Sequence, residues 1–445
     1  YTGLWFTEGS ASSSFKFTDA KGHEQRYPAD IDAADGETFV KMRAFVDKAE
    51  ALQHYRESTK HFQTSHTLLY KPLPQLTVKG VFGIDYRANN NKEIVTNEYL
   101  IHIGEKHVGT TDAGRVNNFD RNYFGLTADI NGQYKFYAAN RLSNVLTAGF
   151  QYFNTHDRQA IYRGTNVRDG AKVMSGAGTV QADEWLNFLH SYGFYAQDNI
   201  GLFNKYYVDL GARVDYNTAF GDNVKWQFYP KLGLSYVMSD EPFLASWVSS
   251  GMLSMLRVFC NYGVAGSYPP PFAYQRTISV TGYQGKQAGT FGQFGNPDLG
   301  PEKKHSFEVG FESSFLHDIA TLSFTYYHSV TKGALFTVPT LPSAGRATNY
   351  LANIGEISNL GVEMALALNV VRTKDWQATL RTTVNTNRNR VLSAGGTVPF
   401  SIGGFGPETI QTAVEEGKPV GFLRGNKAVL NADGTLKEVL RMQDL

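Results

Sequence analysis

The sequence predicts an all-β protein, an antiparallel transmembrane β-barrel in which about twelve strands are recognisable. Three observations carry that prediction. The composition of 44 Gly, 25 Tyr and 30 Phe with only 19% charged residues favours sheet and tight turn over helix. Apolar and polar residues alternate one by one along most of the chain, and a period of two sorts them onto opposite faces of a sheet. Connections are alternately short and long, as in outer-membrane barrels with tight turns on one rim and long loops on the other.

In chain order, the first 40 or so residues rest on composition alone. There Asp30, Asp32 and Asp35 precede Gly36 like a calcium loop, but the glycine falls one place late and the closing Glu is absent, so a solvated loop is expected. A weak segment at about 62–72 ends at Lys71-Pro72-Leu73-Pro74. Next, Leu76, Val78, Phe82, Ile84 and Tyr86 oppose Gln75, Thr77, Lys79 and Asp85. Eleven or so residues, at about 3.3 Å each, cross a membrane at a tilt. After a long connection at 87–119, Phe124, Leu126, Ala128, Ile130, Tyr134 and Phe136 oppose Arg121, Thr127, Asp129, Asn131, Gln133 and Lys135.

Weaker strands at about 141–155 and 188–203 flank a second long connection, 156–187. Past the tight Phe203-Asn204-Lys205, the row Tyr206, Val208, Leu210, Ala212, Val214 and Tyr216 interleaves with Tyr207, Asp209, Gly211, Arg213 and Asp215. Phe228, Leu232, Leu234 and Tyr236 mark the next strand, about 252–264 another, and 267–304 a third long connection. Phe307, Val309 and Phe311 then oppose Ser306, Glu308, Gly310 and Glu312, the first set expected to face lipid and Glu308 and Glu312 the lumen. After the tight Leu316-His317-Asp318 come Leu322, Phe324 and Tyr326; then Leu360, Val362, Met364, Leu366 and Leu368; then Ala378, Leu380 and Val384.

Composition excludes several classes. A formal net charge of +1 with no Lys/Arg-rich run leaves no footprint for nucleic acid. The single Cys260 permits no disulfide framework and, in line with Leu256 and Val258, fills an apolar position. No apolar run approaches a spanning helix, and the mean hydropathy of -0.31 suits a barrel, where only alternate residues meet lipid. A soluble β-sandwich also alternates, but its strands are shorter and more evenly spaced; a solenoid would need a fixed period. The chain starts at Tyr1 without an initiator Met and stops at Leu445 soon after a Gly turn, which reads as a piece of a longer protein.

Motifs of catalysis are missing: no Gly-x-Ser-x-Gly, no phosphate-binding loop and no His-Glu-x-x-His, so no catalytic or cofactor residue is assigned. His61/His66 and His102/His107 are five apart, an odd interval that points extended pairs to opposite faces, and no metal site is assigned. The candidate ligand segment is Tyr268-Pro269-Pro270-Pro271-Phe272-Ala273-Tyr274-Gln275-Arg276 with Tyr283 beyond. Aromatic faces at Tyr268, Phe272, Tyr274 and Tyr283 suit sugar rings or peptide planes, with Arg276 as donor; the plainer reading is a proline-stiffened loop packed on its neighbours. Asp209, Arg213 and Asp215 are candidates to line a lumen wall, or simply to pair with one another.

Two ordered motifs carry a family likeness. Asn296-Pro297-Asp298-Leu299-Gly300-Pro301-Glu302, followed by Ser306-Phe307-Glu308-Val309-Gly310, resembles a signature of TonB-dependent outer-membrane receptors. Asn353-Ile354-Gly355-Glu356-Ile357-Ser358-Asn359-Leu360-Gly361-Val362-Glu363 is similar to a strand of their SusC/RagA branch, and Gly417-Lys418-Pro419-Val420-Gly421 is among the supporting matches. The resemblance covers the chain from about residue 50 onward and implies a 22-stranded barrel, of which residues 1–445 would be part, with neither plug domain nor closing strands identified. It further implies location in the bacterial outer membrane, contact with its lipid, and TonB-driven import of a glycan or peptide through a plug. A SusD-like lid lipoprotein is the implied partner, with a homodimer of the pair left open, and no cofactor. A passive porin, a siderophore-type receptor, a surface glycan-binding β-protein and an outer-membrane barrel enzyme remain as alternatives.

Overall fold

Alternating residues with aromatic and β-branched side chains favour extended backbone, and the computed structural model is built almost wholly from strands. It describes residues 15–18, 24–27, 45–138, 141–284, 286–338, 350–404, 410–431 and 436–444; the acidic run Asp30, Asp32, Asp35 and Gly36 lies outside them. A hairpin of β1 (Phe15–Thr18) and β2 (Glu24–Tyr27) and a helical segment α1 (45–52) lead into β3 (Gln53–Leu73) and β4 (Leu76–Val95). Then come helix α2 (Asn97–His102), β5 (Gly114–Ala138), β6 (Leu142–Val167), β7 (Ala177–Leu202), β8 (Tyr206–Asn217) and β9 (Gln227–Val237). Helix α3 (Ala245–Ser249) precedes β10 (Leu253–Ser267), the hairpin β11 (Ile278–Tyr283) and β12 (Lys286–Phe291), β13 (Glu302–Phe315), β14 (Ala320–Val338), β15 (Tyr350–Arg372) and β16 (Gln377–Ser393). Last are β17 (Phe400–Gly404), β18 (Gln411–Val414), β19 (Phe422–Leu430) and β20 (Leu436–Asp444).

Twelve of these strands form one sheet in the order β16-β15-β14-β13-β10-β9-β8-β7-β6-β5-β4-β3, an up-and-down meander interrupted only where β11–β12 sits between β10 and β13. They match the twelve segments expected from the sequence one for one. Their lengths do not match: β4 runs into the expected loop 87–119, and β6 and β7 fill most of 156–187. Beyond the lipid band both faces of a strand meet water, so the alternation fades while the backbone ladder continues. The connection 267–304 likewise contains a hairpin and the start of β13. The tight turns at Lys71-Pro72-Leu73-Pro74, Phe203-Asn204-Lys205 and Leu316-His317-Asp318 are present, with left-handed φ at Phe203, Asn204, Leu316, His317 and Asp318, while the tight connection the sequence places from Tyr137 to Asn140 lies partly outside the described residues.

Contacts divide the chain into two units, one of residues 1–65, 83–126 and 155–188 and the other of 66–82, 127–154 and 189–445. In the first, Ala49, Val95, Tyr99 and Leu100 form a small core around α2, whose Thr96 hydroxyl accepts from the Tyr99 N–H. Buried Asn97 donates to Asp169 Oδ1 and Val167 O and accepts from the Ala113 N–H, so its amide is satisfied where water is excluded. Ion pairs Arg121–Asp157 and Arg163–Asp183 knit the same unit.

In the second unit the register sorts the side chains into two faces. One row across seven strands reads Asp209, Gly233, Asn261, Glu308, Tyr327, Gly361 and Asn387. The adjacent row, on the opposite face, reads Leu210, Leu232, Tyr262, Phe307, His328, Leu360 and Arg388. Leu210, Leu232, Leu234, Phe307, Val309 and Leu360 are each about two-fifths exposed, an apolar surface too extensive for a protein surrounded by water. Glycine on the polar face makes room for side chains lying across from the next strand. A Cβ on Gly361 would stand 2.0 Å from Thr386 O and 2.5 Å from Tyr327 Oη, which is why the second motif carries glycine there.

Candidate functional site

Polar side chains of β5, β6 and β8 meet Tyr268, just past β10, on one face of the sheet. Asp129 accepts from Asn131 and Gln151, and Gln151 in turn accepts from Arg213 Nη1. Arg213 Nε donates to both Asp215 oxygens at 2.7 and 2.8 Å, and Tyr268 Oη donates to Asp215 Oδ2 at 3.3 Å. Asp215 is only 4% exposed, so its charge has exchanged hydration for a cation and a hydroxyl. Burial, and then the charge of Asp215, push the Tyr268 hydroxyl above its usual range and keep it a neutral donor. Arg213 and Asp215 thus behave as the plainer reading expected, pairing with each other.

Farther along the same face, Asp209, Lys231, Asn261, Ser306 and Glu308 line a recess of about 400 Å³. Lys231 Nζ lies 3.2 Å from Asp209 Oδ2, and Glu308 lies across Asn261 from that pair. Glu312 pairs with Arg257 Nε at 3.5 Å. Asp209, Arg213, Asp215, Glu308 and Glu312 all fall on this polar face, and Phe307, Val309 and Phe311 on the other.

The candidate ligand segment leaves β10 as an ordered loop. Tyr268 is anchored edge-on against Phe220 as well as to Asp215, and Pro269 is buried. Phe272 adopts a left-handed φ of 61°, held because its carbonyl accepts from the Gln275 N–H and from Gln293 Nε2. Gln293 also donates to Gln275 O, and its N–H to Thr277 Oγ1, closing the loop base. The side chains of Gln275 and Arg276 are exposed, with Arg276 6.0 Å from the Phe294 ring, while Tyr274 is half-buried. The side chain of Tyr283 lies outside the described residues, although its backbone pairs with Lys286. Gln293 and Gln151 were missed by sequence reasoning. Gln151 lies in a weakly alternating strand, and Gln293 carries no periodic signal at all.

The first motif is a clip. Gly221 N–H donates to Leu299 O and Asn223 N–H to Pro297 O, while Asn296 Nδ2 reaches Leu351 O. Asn353, the first residue of the second motif, accepts from the Gly300 N–H at 2.7 Å and donates to Gly300 O and Gly333 O. Glu302 accepts from the Leu335 N–H. The two motifs that carry the family likeness are therefore one contact cluster. Nearby, Gly417 N–H donates to Val391 O and Val391 N–H to Lys418 O, and Val420 N–H donates to Asn389 Oδ1. That pairing seats Val414 and Phe400 against Val391, Ala334 and Phe336.

A family model for the TonB dependent receptor-like β-barrel matches residues 9–435. The chain belongs to that family. It is 25% identical to TonB-dependent receptor P39 of Formosa agariphila over 80% of this chain and 33% of that one, and 23% identical to TonB-dependent receptor SusC of Bacteroides thetaiotaomicron over 63% and 29%. Its fold superposes on the RagAB peptide importer in the "open-open" state with a TM-score of 0.75, at 16% identity, over 98% of this chain and 47% of that chain. The chain spans about a third of the length of the curated relatives and under half of that solved structure. It is an antiparallel outer-membrane β-barrel protein, and its apolar face is the one suited to lipid. The family is one of transport receptors.

Proposed function

We propose that this chain forms part of a TonB-linked, SusC/RagA-like importer of a large hydrophilic nutrient, a glycan or a peptide. The observation that carries the reading is the family membership, joined to a sheet whose polar face bears Asp209, Arg213, Asp215, Glu308 and Glu312 opposite a continuous apolar face. In this reading that polar face lines the lumen. Cargo is met first by the loop segment, where Arg276 is exposed and Phe272 and Tyr274 are half-buried, while Tyr268 serves as an anchor for the loop. The TonB complex and a SusD-like lid lipoprotein are its proposed partners, the latter supported by the likeness of fold to the RagAB peptide importer. No catalytic role is proposed.

The test is uptake of labelled oligosaccharides and oligopeptides by cells making the full-length receptor, with and without TonB. Import that stops without TonB supports the reading. Import indifferent to TonB points to passive diffusion and overturns it.

A further inference from the structure

One connection on the turn rim is unlike the others. The turns after β7, β13 and β15 are tight, but β9 and β10 are joined by Met238–Met252, which folds into two 3-10 turns and α3. It belongs to the same rim, since Val237 N–H donates to Lys205 O in the β7–β8 turn. At its other end, Leu316 and His317 N–H in the β13–β14 turn donate to Met252 O and Gly251 O. No Asp, Glu, Lys or Arg occurs between Glu241 and Arg257.

The segment leans toward the apolar face of the sheet. Tyr206 and Tyr236, both on that face, stack with centroids 4.8 Å apart, and Tyr206 Oη donates to Glu241 Oε1 at 3.0 Å, with Lys205 Nζ 3.4 Å from the same oxygen. Four-residue spacing then gives the short helical run two stripes. Leu244 and Val248 are half-buried, whereas Phe243 is 65% and Trp247 55% exposed. Met252, Leu316 and Ile319 extend the exposed apolar surface beside them. In water, each such aromatic would forgo roughly 1.5–3 kcal/mol of burial. A barrel's short turns lie on the periplasmic side, where aromatic girdles meet the lipid headgroups.

We infer that Met238–Met252 is an interfacial anchor, seated in the headgroup boundary of the inner, phospholipid leaflet with Phe243 and Trp247 inserted among the upper acyl carbons. Its continuity with Tyr206 and Tyr236 on the apolar face selects lipid as the occupant, and the absence of charge over residues 242–252 lowers the cost of seating Phe243 and Trp247 there.

The test uses the full-length receptor in phosphatidylethanolamine/phosphatidylglycerol vesicles. An environment-sensitive fluorophore is attached at Phe243→Cys, at Trp247→Cys and, as a control, at Val398→Cys, in a cysteine-free background that includes Cys260→Ser. Val398 is exposed on the loop side. Labels at 243 and 247 are expected to emit to the blue of the control and to lose intensity with spin labels carried at shallow depth in the lipid. Quenching by aqueous iodide equal to the control would overturn the anchor. So would shielding from both quenchers, which would mean that protein covers the stripe. Heat-modifiable gel migration confirms that each labelled variant is folded.

Discussion

Asn353→Ala removes the amide that joins the two motifs. In the native protein that side chain makes three hydrogen bonds to main-chain groups, at 2.7, 2.8 and 2.9 Å. Each neutral hydrogen bond contributes about 0.5–1.5 kcal/mol net, so the three together contribute roughly 2–4 kcal/mol. Gly300 and Gly333 are half-buried, so water can reach part of what is exposed and the expected loss is about 2–3 kcal/mol. Because the clip lies on the loop side of a large sheet, the loss should appear as local opening rather than global unfolding. Amide hydrogen exchange of the full-length receptor reads it directly: at about 1.4 kcal/mol per tenfold, exchange at residues 296–302 should accelerate roughly 30- to 150-fold. Asn353→Asp should do no better, because it keeps the acceptor but turns a carboxylate toward two carbonyls. Asn359→Ala, on the same strand but hydrogen-bonded instead to Asn389, should leave 296–302 alone. Unchanged exchange at 296–302 in Asn353→Ala would refute the clip.

Other consequences follow from the same geometry. Gly361→Ala should lower the midpoint of heat-modifiable gel migration through about 1–3 kcal/mol of overpacking, since the added carbon meets the fixed Thr386 carbonyl. Gly263→Ala, whose nearest neighbour would be 3.9 Å away, should be neutral, and equal midpoints for the two would count against the close-approach argument. Arg213→Met strands nearly buried Asp215; breaking a fully buried pair costs about 3–5 kcal/mol, and partial exposure of Arg213 reduces that to roughly 2–3 kcal/mol. Pairing it with Asp215→Leu should recover most of the loss in the same assay, and no recovery would show that the ion pair is not the cause. At Glu241 burial acts to raise the carboxyl, but hydrogen bonds from Tyr206 and Tyr236 and the charge of Lys205 outweigh it and hold the group below its ordinary 4.5. A group depressed in the folded state contributes stability above its unfolded value and loses it as pH falls through the folded one. Protease protection of Met238–Met252 should therefore hold down to about pH 4.5 and fall only below it, and Glu241→Gln should remove that acid step.

Twelve strands, their two faces and the tight turns were legible in the sequence because a period of two is a property of consecutive residues. Phe307, Val309 and Phe311 separate from Glu308 and Glu312 whatever the rest of the chain does. The family was legible for a related reason: its motifs are short runs whose spacing survives in one dimension. Strand ends were not legible, because beyond the lipid band nothing forces alternation, and β6 and β7 continue on the backbone ladder and cross-strand pairs such as Arg163–Asp183.

Only the tertiary structure decided what the motifs hold. Asn353 meets Gly300 across 53 residues, and Arg213 meets Gln151 across 62, separations that no local pattern encodes. The aromatic and proline residues of Tyr268–Arg276 stand out in the sequence. Yet Gln293 closes the loop and Asp215 fastens its Tyr268, through side chains brought together by the order of the sheet. Faces follow from the covalent geometry of a strand, whereas clips, ion pairs and loop closures follow from which strands become neighbours.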